Sequence, residues 1–289
     1  MDVRLPPSVD ALPLHREKLE GLCAAAADDE RIVGVVVVGS LATEEADVYS
    51  DIDVQIVVED TSFEAALVDA DRLIDHCGNA MTRYTGEHAG HPDMTVALYD
   101  DLVQVDLYFK RLSELRKEYR DNPYFVLWER GDRATTEIKA ASGAALRIDV
   151  QWFEARIWAW CWYAQTKLLR GELYEAQAVL LYLRNVVLFP LLHVSRGRIP
   201  GGSRRAEQWV GDLAAQFEAT APGLDRDSLM NAVRTAVDLY VSLADPILEK
   251  EGAARNEAAR DVVRAALAQG LDWKPVYEKR LAPSDIEVH

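Results

Sequence analysis

The sequence predicts a mixed α/β domain followed by a helical bundle, on three observations. Helical and strand patterns alternate over about the first 135 residues, strand signals end near Ile148, and long helical stretches fill the remainder. The expected division is residues 1–140 for the mixed domain and 141–289 for the helical one, with the cleft between them as the expected binding site.

Taken in order, Leu14 to Asp28 reads as a helix carrying Leu19 and Leu22 on its apolar side. Ile32 to Val38 is almost continuously β-branched, the pattern of a strand buried on both faces. Gly39-Ser40 interrupts it, and Leu41 to Ala46 reads as a short helical turn. Ile52 to Val58 is a second strand and Phe63 to His76 a helix. Met94 to Tyr99 and Leu102 to Phe109 form an expected hairpin around Asp100-Asp101, although a glycine is expected in that turn and none is there. Phe125 to Trp128 is one more short strand, closed by Glu129-Arg130-Gly131-Asp132. Helices are then expected at Val150 to Leu169, Glu172 to Val194, Ala206 to Phe217, Asp227 to Leu248 and Ala253 to Ala268, with a Gly- and Arg-rich loop from Arg196 to Arg205.

Composition narrows the function classes. Hydrophobic residues make up 49% of the 289, enough for a sizeable core. Acidic residues number 48 against 32 basic, a net charge of -16, which repels phosphate backbones and disfavours nucleic acid as a partner while attracting a cationic small molecule. Cys23, Cys77 and Cys161 are far apart and form no C-x-x-C pair, as expected in a reducing cytoplasm. No signal peptide and no membrane span of about 18 apolar residues is read from the sequence.

The chemistry concentrates in Val38-Gly39-Ser40, ten residues, then Asp51-Ile52-Asp53-Val54. Alternate side chains of a strand share a face, so Asp51 and Asp53 project together while Ile52 and Val54 enter the core. Two adjacent carboxylates repel unless a cation lies between them, and oxygen ligands of this kind suit Mg²⁺. Gly39 permits close backbone approach by a phosphate, and Ser40 offers a hydroxyl. Asp106 alternates with Val105 and Leu107 in the next hairpin. If that hairpin lies beside the Asp51 strand, three carboxylates converge and can hold two metals about 4 Å apart. The plain alternatives are a solvated strand end for Asp51 and Asp53, an exposed strand carboxylate for Asp106 and a turn glycine at Gly39. Glu87-His88, His91 and Asp93 are read as a polar loop before a strand, bordering the site, rather than a transition-metal centre. Trp158 and Trp162, at i and i+4, are expected in the helical core, and His193 in ordinary helix packing.

A hydrophobic strand, Gly-Ser, a spacer of about ten, Asp-x-Asp and a later lone strand Asp resemble the nucleotidyltransferase superfamily related to polymerase β. Within it the sequence is similar to antibiotic-modifying adenylyltransferases of the aminoglycoside and lincosamide types. ALYDDLVQVDLYF and FVLWERGD are similar to the hairpin and following charged turn of the streptomycin 6-adenylyltransferase branch. The helix pair carrying Lys167-Leu168-Leu169-Arg170-Gly171-Glu172 and Tyr182-Leu183-Arg184-Asn185 is similar to that branch's helical domain.

The resemblance implies a nucleotidyltransferase fold with a mixed sheet in the first domain. It implies transfer of AMP from ATP, or of another NTP's nucleotide, to a hydroxyl of a small, cationic acceptor, with antibiotic resistance as the corresponding role. Asp51, Asp53 and Asp106 would hold two Mg²⁺ ions, Asp106 would also take the acceptor proton with Glu87 as the alternative base, and Lys167 or Arg184 would meet the triphosphate. A homodimer is compatible with this reading. Two rivals remain at this point: modification of a protein or tRNA end, as by a toxin, and a non-catalytic nucleotide-binding module.

Overall fold

A computed structural model describes residues 2–117, 123–141 and 147–275. The chain divides into two compact units, Met1–Ala145 and Leu146–His289.

The first unit opens with α1 (Pro13–Ala27), started by a proline at its first position, where the missing N–H costs nothing. There follow β1 (Ile32–Val37), α2 (Gly39–Ala42), β2 (Ile52–Val58), α3 (Phe63–Val68), α4 (Ala70–Asp75), β3 (Ala80–Gly86), β4 (His91–Tyr99), β5 (Gln104–Arg111), β6 (Phe125–Glu129) and α5 (Arg133–Lys139). The six strands make one mixed sheet in the order β3-β4-β5-β2-β1-β6. Only β2 and β5 run parallel; the other neighbours are antiparallel.

Every residue of β1 is buried, and in β2 only Asp53 is not. Both are interior strands of the sheet, as their β-branched runs require. On one face Val35, Val37, Ile52, Val54, Ile56, Val105, Leu107 and Phe109 pack with Leu19 and Leu22 of α1 and with Phe63, Leu73 and Ile74 of α3 and α4. On the other, Val33, Val36 and Val57 are covered by Leu115 and Ala134. Val57, Gln55 and Asp53 alternate onto that second face, so it passes from an apolar lid at Val57 to carboxylates at the strand's start.

Several elements differ from the sequence reading. The expected helix Phe63 to His76 is two helices that meet at Asp69. β3 was not expected: it is an edge strand whose side chains are largely exposed, so it lacks the apolar alternation that marks a strand. The short helix after β1 begins at Gly39 rather than Leu41. In the β4–β5 turn the missing glycine is replaced by Leu102, which takes a left-handed φ of 64°. The turn is held by Tyr99 N–H to Val103 O (3.1 Å), by Val103 N–H to Asp101 Oδ1 (3.0 Å) and by the Lys18–Asp101 ion pair (2.7 Å).

The second unit comprises α6 (Val150–Glu154), α7 (Ile157–Arg170), α8 (Leu173–Leu183), a π-turn (Arg184–Leu188), α9 (Phe189–Ser195), α10 (Ala214–Ala219), α11 (Arg226–Glu251) and α12 (Glu257–Gln269). Its core is built from Trp158, Leu168, Leu180, Leu183, Leu188, Leu192, Val233, Tyr240 and Leu248 among others. Each such buried aliphatic side chain contributes about 1.5–3 kcal/mol. Trp158 lies in that core as expected; Trp162 is half-buried against Trp273, with ring centroids 4.7 Å apart. The π-turn has a local cause. Pro190 has no N–H for the carbonyl four residues back, and the wider turn before it accommodates the ring.

Among the described residues one carboxylate is wholly inside this unit. Glu154, with no exposed surface, accepts from Trp158 Nε1 (3.0 Å), Asn256 N (2.9 Å) and Tyr240 Oη (2.5 Å). Arg260 lies 3.9 Å away and is itself bound to Asp245. The sequence reading found no span long and apolar enough for a membrane. The continuous helical run Leu173–Ser195 passes that test by length and mean hydropathy (1.6), and 44% of its apolar window is buried inside the fold.

Candidate active site

Register places the acidic side chains. In the parallel β2–β5 pair, Asp53 and Asp106 are direct Cα partners. Asp51, one residue before β2, offers its carboxylate to the same cluster. One oxygen from each of Asp51, Asp53 and Asp106 lies within 4.8 Å of the other two, and all three residues are half-buried. Among the described residues no other group of histidines, cysteines and carboxylates gathers in this way.

The loop ahead of β2 is built around this cluster. Val38 N–H donates to Asp53 O (3.0 Å), which brings Gly39 against the carboxylate. Gly39 has a φ of 62°, and a Cβ there would sit 2.5 Å from Asp53 Oδ2, so no other residue fits without displacing the acid. Ser40 follows with its Oγ buried and without a hydrogen-bond partner. At the far end of the loop, Ser50 N–H donates to Asp47 O (3.0 Å) and Asp47 N–H to Ser50 Oγ (2.9 Å). The buried ring of His15 on α1 hydrogen-bonds Ser50 O (2.8 Å), fixing the residue next to Asp51.

Burial raises the pKa of Asp106 above the ordinary carboxylate value; the Asp51 charge pushes the same way and the Gln104 amide opposes both. That amide donates to Asp106 Oδ1 at 2.8 Å. Tyr108, two residues on, has its phenol pushed up to about 12 by burial and then by Asp53, Asp106 and Asp51. Gln55, on the same face, is buried with Oε1 lacking a donor. His15, Gln104, Tyr108 and Gln55 were not singled out in the sequence. For the last three the signal was there, since each lies two residues from a site Asp on its strand.

The donor set suits a hard divalent cation: carboxylates only, closely spaced, beside a glycine that leaves room and a hydroxyl that lacks a partner. Without a cation, like charges this near oppose one another's ionisation.

The neighbouring polar stretch is not simply a loop. Glu87–Ala89 is one 3₁₀ turn, and His91 and Asp93 belong to β4. The hydroxyl of Thr85 holds the exposed Glu87 carboxyl below its ordinary value. His91 packs edge-on to the Tyr108 ring, 5.7 Å between centroids. Lys167 and Arg184 lie in the helical unit. Lys167 is paired with Glu172 at 2.8 Å, which raises its pKa. Arg184 is half-buried, and burial lowers its pKa.

A mixed sheet that brings an Asp-x-Asp strand alongside a third Asp, behind a Gly-Ser turn, defines an enzyme of the nucleotidyltransferase class. More particularly, the chain belongs to the streptomycin adenylyltransferase family, whose profile matches residues 14–269. No curated protein sequence matches it. Similar solved structures include an aminoglycoside 6-adenyltransferase from Bacillus subtilis (13% identity, TM-score 0.38, covering 89% of this chain and 99% of that one). A nucleotidyltransferase-like protein from Exiguobacterium sibiricum is 14% identical, with TM-score 0.37 and coverage of 79% and 75%. A CCA-adding enzyme from Thermotoga maritima is 12% identical, with TM-score 0.30 and coverage of 99% and 100%. Membership rests on the family profile and not on these loose overlays.

Proposed function

We propose that this enzyme transfers AMP from ATP to a hydroxyl of a small cationic molecule, of the aminoglycoside class first and the lincosamide class second, with antibiotic resistance as the corresponding role. The observation that supports this most is the gathering of Asp51, Asp53 and Asp106 within 4.8 Å. They would hold divalent cations, Mg²⁺ by donor chemistry and two by their number. When bound, such cations would neutralise the charge that develops at phosphorus.

The chain's own residues then have definite tasks. Gly39 leaves space for a phosphate beside Asp53, and Ser40 Oγ, buried and without a partner, donates to a phosphate oxygen. The acceptor oxygen forms its bond to the α-phosphorus as the bond to pyrophosphate breaks, and its proton passes to the Asp106 carboxylate. Glu87 is the weaker candidate for that proton, because Thr85 already satisfies it and lowers its basicity. Of the two basic residues proposed for the triphosphate, Lys167 is already neutralised by Glu172 and Arg184 is not. The acidic balance, with a net charge of -16, favours a cationic acceptor over a polynucleotide. The three free thiols fit a cytoplasmic site of action.

The test is pyrophosphate release with each NTP and Mg²⁺ against a panel of hydroxylated aminoglycosides and lincosamides. Release that needs ATP, Mg²⁺ and one antibiotic class supports the reading. Release only with protein or tRNA as acceptor overturns the choice of substrate.

A further inference from the structure

Arg184 is a cation without an answering carboxylate. Among the described residues it forms no ion pair and no side-chain hydrogen bond, and its Nε is buried with no acceptor. Burial alone lowers its pKa, with no acidic neighbour opposing it. The Phe189 ring lies 5.7 Å from the guanidinium carbon, a cation–π contact that supplies no negative charge. Other arginines of the same unit are satisfied: Arg196 by Asp212, Arg226 by Leu168 O at 2.8 Å, Arg260 by Asp245 at 2.8 Å. With 48 acidic residues in the chain, the lack is not for want of carboxylates. Taking a guanidinium partly out of water without a counter-charge is costly, so such a residue is kept where something outside the chain supplies the charge.

The surroundings are those of a receptor. Arg184 opens the π-turn, a local widening often found where a helix carries function. It lines a pocket of about 400 Å³, the size of a small-molecule site, with Tyr174, Gln177, Leu181, Thr220 and Pro222. Tyr174, Gln177, Leu181 and Arg184 follow one another at helical spacing along one face. Among the described residues no carboxylate lines the pocket. A planar donor fork, an amide, a phenol and apolar side chains in one lining suit an oxyanion attached to a small organic body.

We infer that this pocket of the helical unit is a preformed, metal-independent site for a phosphate oxyanion, with Arg184 as its anchor. The choice of phosphate over other oxyanions rests on the nucleotidyl-transfer reading, since that reaction's substrate and product both carry phosphates; the anion site itself rests on Arg184 alone. The phosphate can come from the nucleotide or from a separate phosphorylated molecule.

The probe is inorganic pyrophosphate, titrated by calorimetry into the full chain in EDTA, against Arg184→Met and Arg184→Lys. Wild type is expected to bind, Arg184→Met to weaken binding about tenfold or more, and Arg184→Lys to retain part of it. Without ligand, Arg184→Met is expected to melt no lower than wild type, because it removes an unanswered charge. Competition by ATP would identify the nucleotide as the source; pyrophosphate binding that ATP does not displace would identify a separate phosphate. Failure of wild type to bind, equal binding by Arg184→Met, or a lower melting temperature for Arg184→Met overturns the inference. No metal or turnover enters this measurement, so its failure leaves the proposed reaction standing, and failure of the antibiotic assay leaves the pocket standing.

Discussion

Two carboxylates, Glu154 wholly buried and Asp106 half-buried, are treated in opposite ways. Glu154, in the helical unit, is surrounded by donors from a tryptophan, a tyrosine and a backbone amide, with an arginine nearby. Asp106, in the sheet, has one amide donor, and its pKa is raised first by burial and then by the charge of Asp51. The first pattern is what a folded chain does to make a buried charge tolerable. The second leaves like charges together, which a chain tolerates where a ligand completes the site. The gathering of like charges, and not burial alone, separates the second place from the first.

Substitutions can break this contrast. Asp53→Asn or Asp51→Asn is expected to lower turnover by roughly 10³-fold or more while the melting temperature holds. Full activity in either would remove the site assignment. Glu154→Ala is expected to do the reverse kind of damage, a loss of about 3 kcal/mol in denaturant unfolding, because three donors lose their acceptor and Arg260 loses a nearby opposite charge. An unchanged midpoint would show that the cluster is not structural. Gly39→Ala joins both kinds: about 1–2 kcal/mol of backbone strain at positive φ and about 10²-fold in turnover as Asp53 is displaced.

Smaller effects sharpen the comparison. Gln104→Ala removes the donor that orients Asp106 and is expected to weaken metal binding about tenfold, read by titration of Mn²⁺. The smallest effect is on pH dependence. The folded pKa of Asp106 lies above the ordinary 3.8, so its ionisation penalises the metal-free fold. That penalty is absent below the unfolded value and grows as pH rises through the folded one. In EDTA, Asp106→Asn should therefore melt slightly above wild type at neutral pH and match it in acid; the opposite order would contradict a carboxylate penalised by burial and by the Asp51 charge.

Much of the site was legible because strand periodicity and chemistry coincide in it. Asp51, Asp53 and Asp106 stand out as acids in otherwise apolar alternation, and Gly39 as a break after a β-branched run. The pairing that makes the acids meet was legible only as a condition, since nothing local in the sequence sets β5 beside β2. β3 escaped notice because an exposed edge strand needs no apolar face. The breaks at Asp69 and in the π-turn were hidden inside helical periodicity, which locates a face but not an interruption. Leu102 shows a position where tertiary bonds hold a left-handed backbone that glycine was expected to supply. His15 was invisible because it acts through a backbone carbonyl across the fold.

The parallel alignment of β2 with β5 has a kinetic consequence. Parallel neighbours need a long crossover, here spanning α3, α4, β3 and β4, so Asp53 and Asp106 come together only after a distant loop has closed. A partly folded chain that has formed its local hairpins still lacks the complete carboxylate cluster. Recovery of divalent-cation affinity during refolding should thus trail the recovery of secondary structure and serve as a clock for the last long-range closure of the sheet.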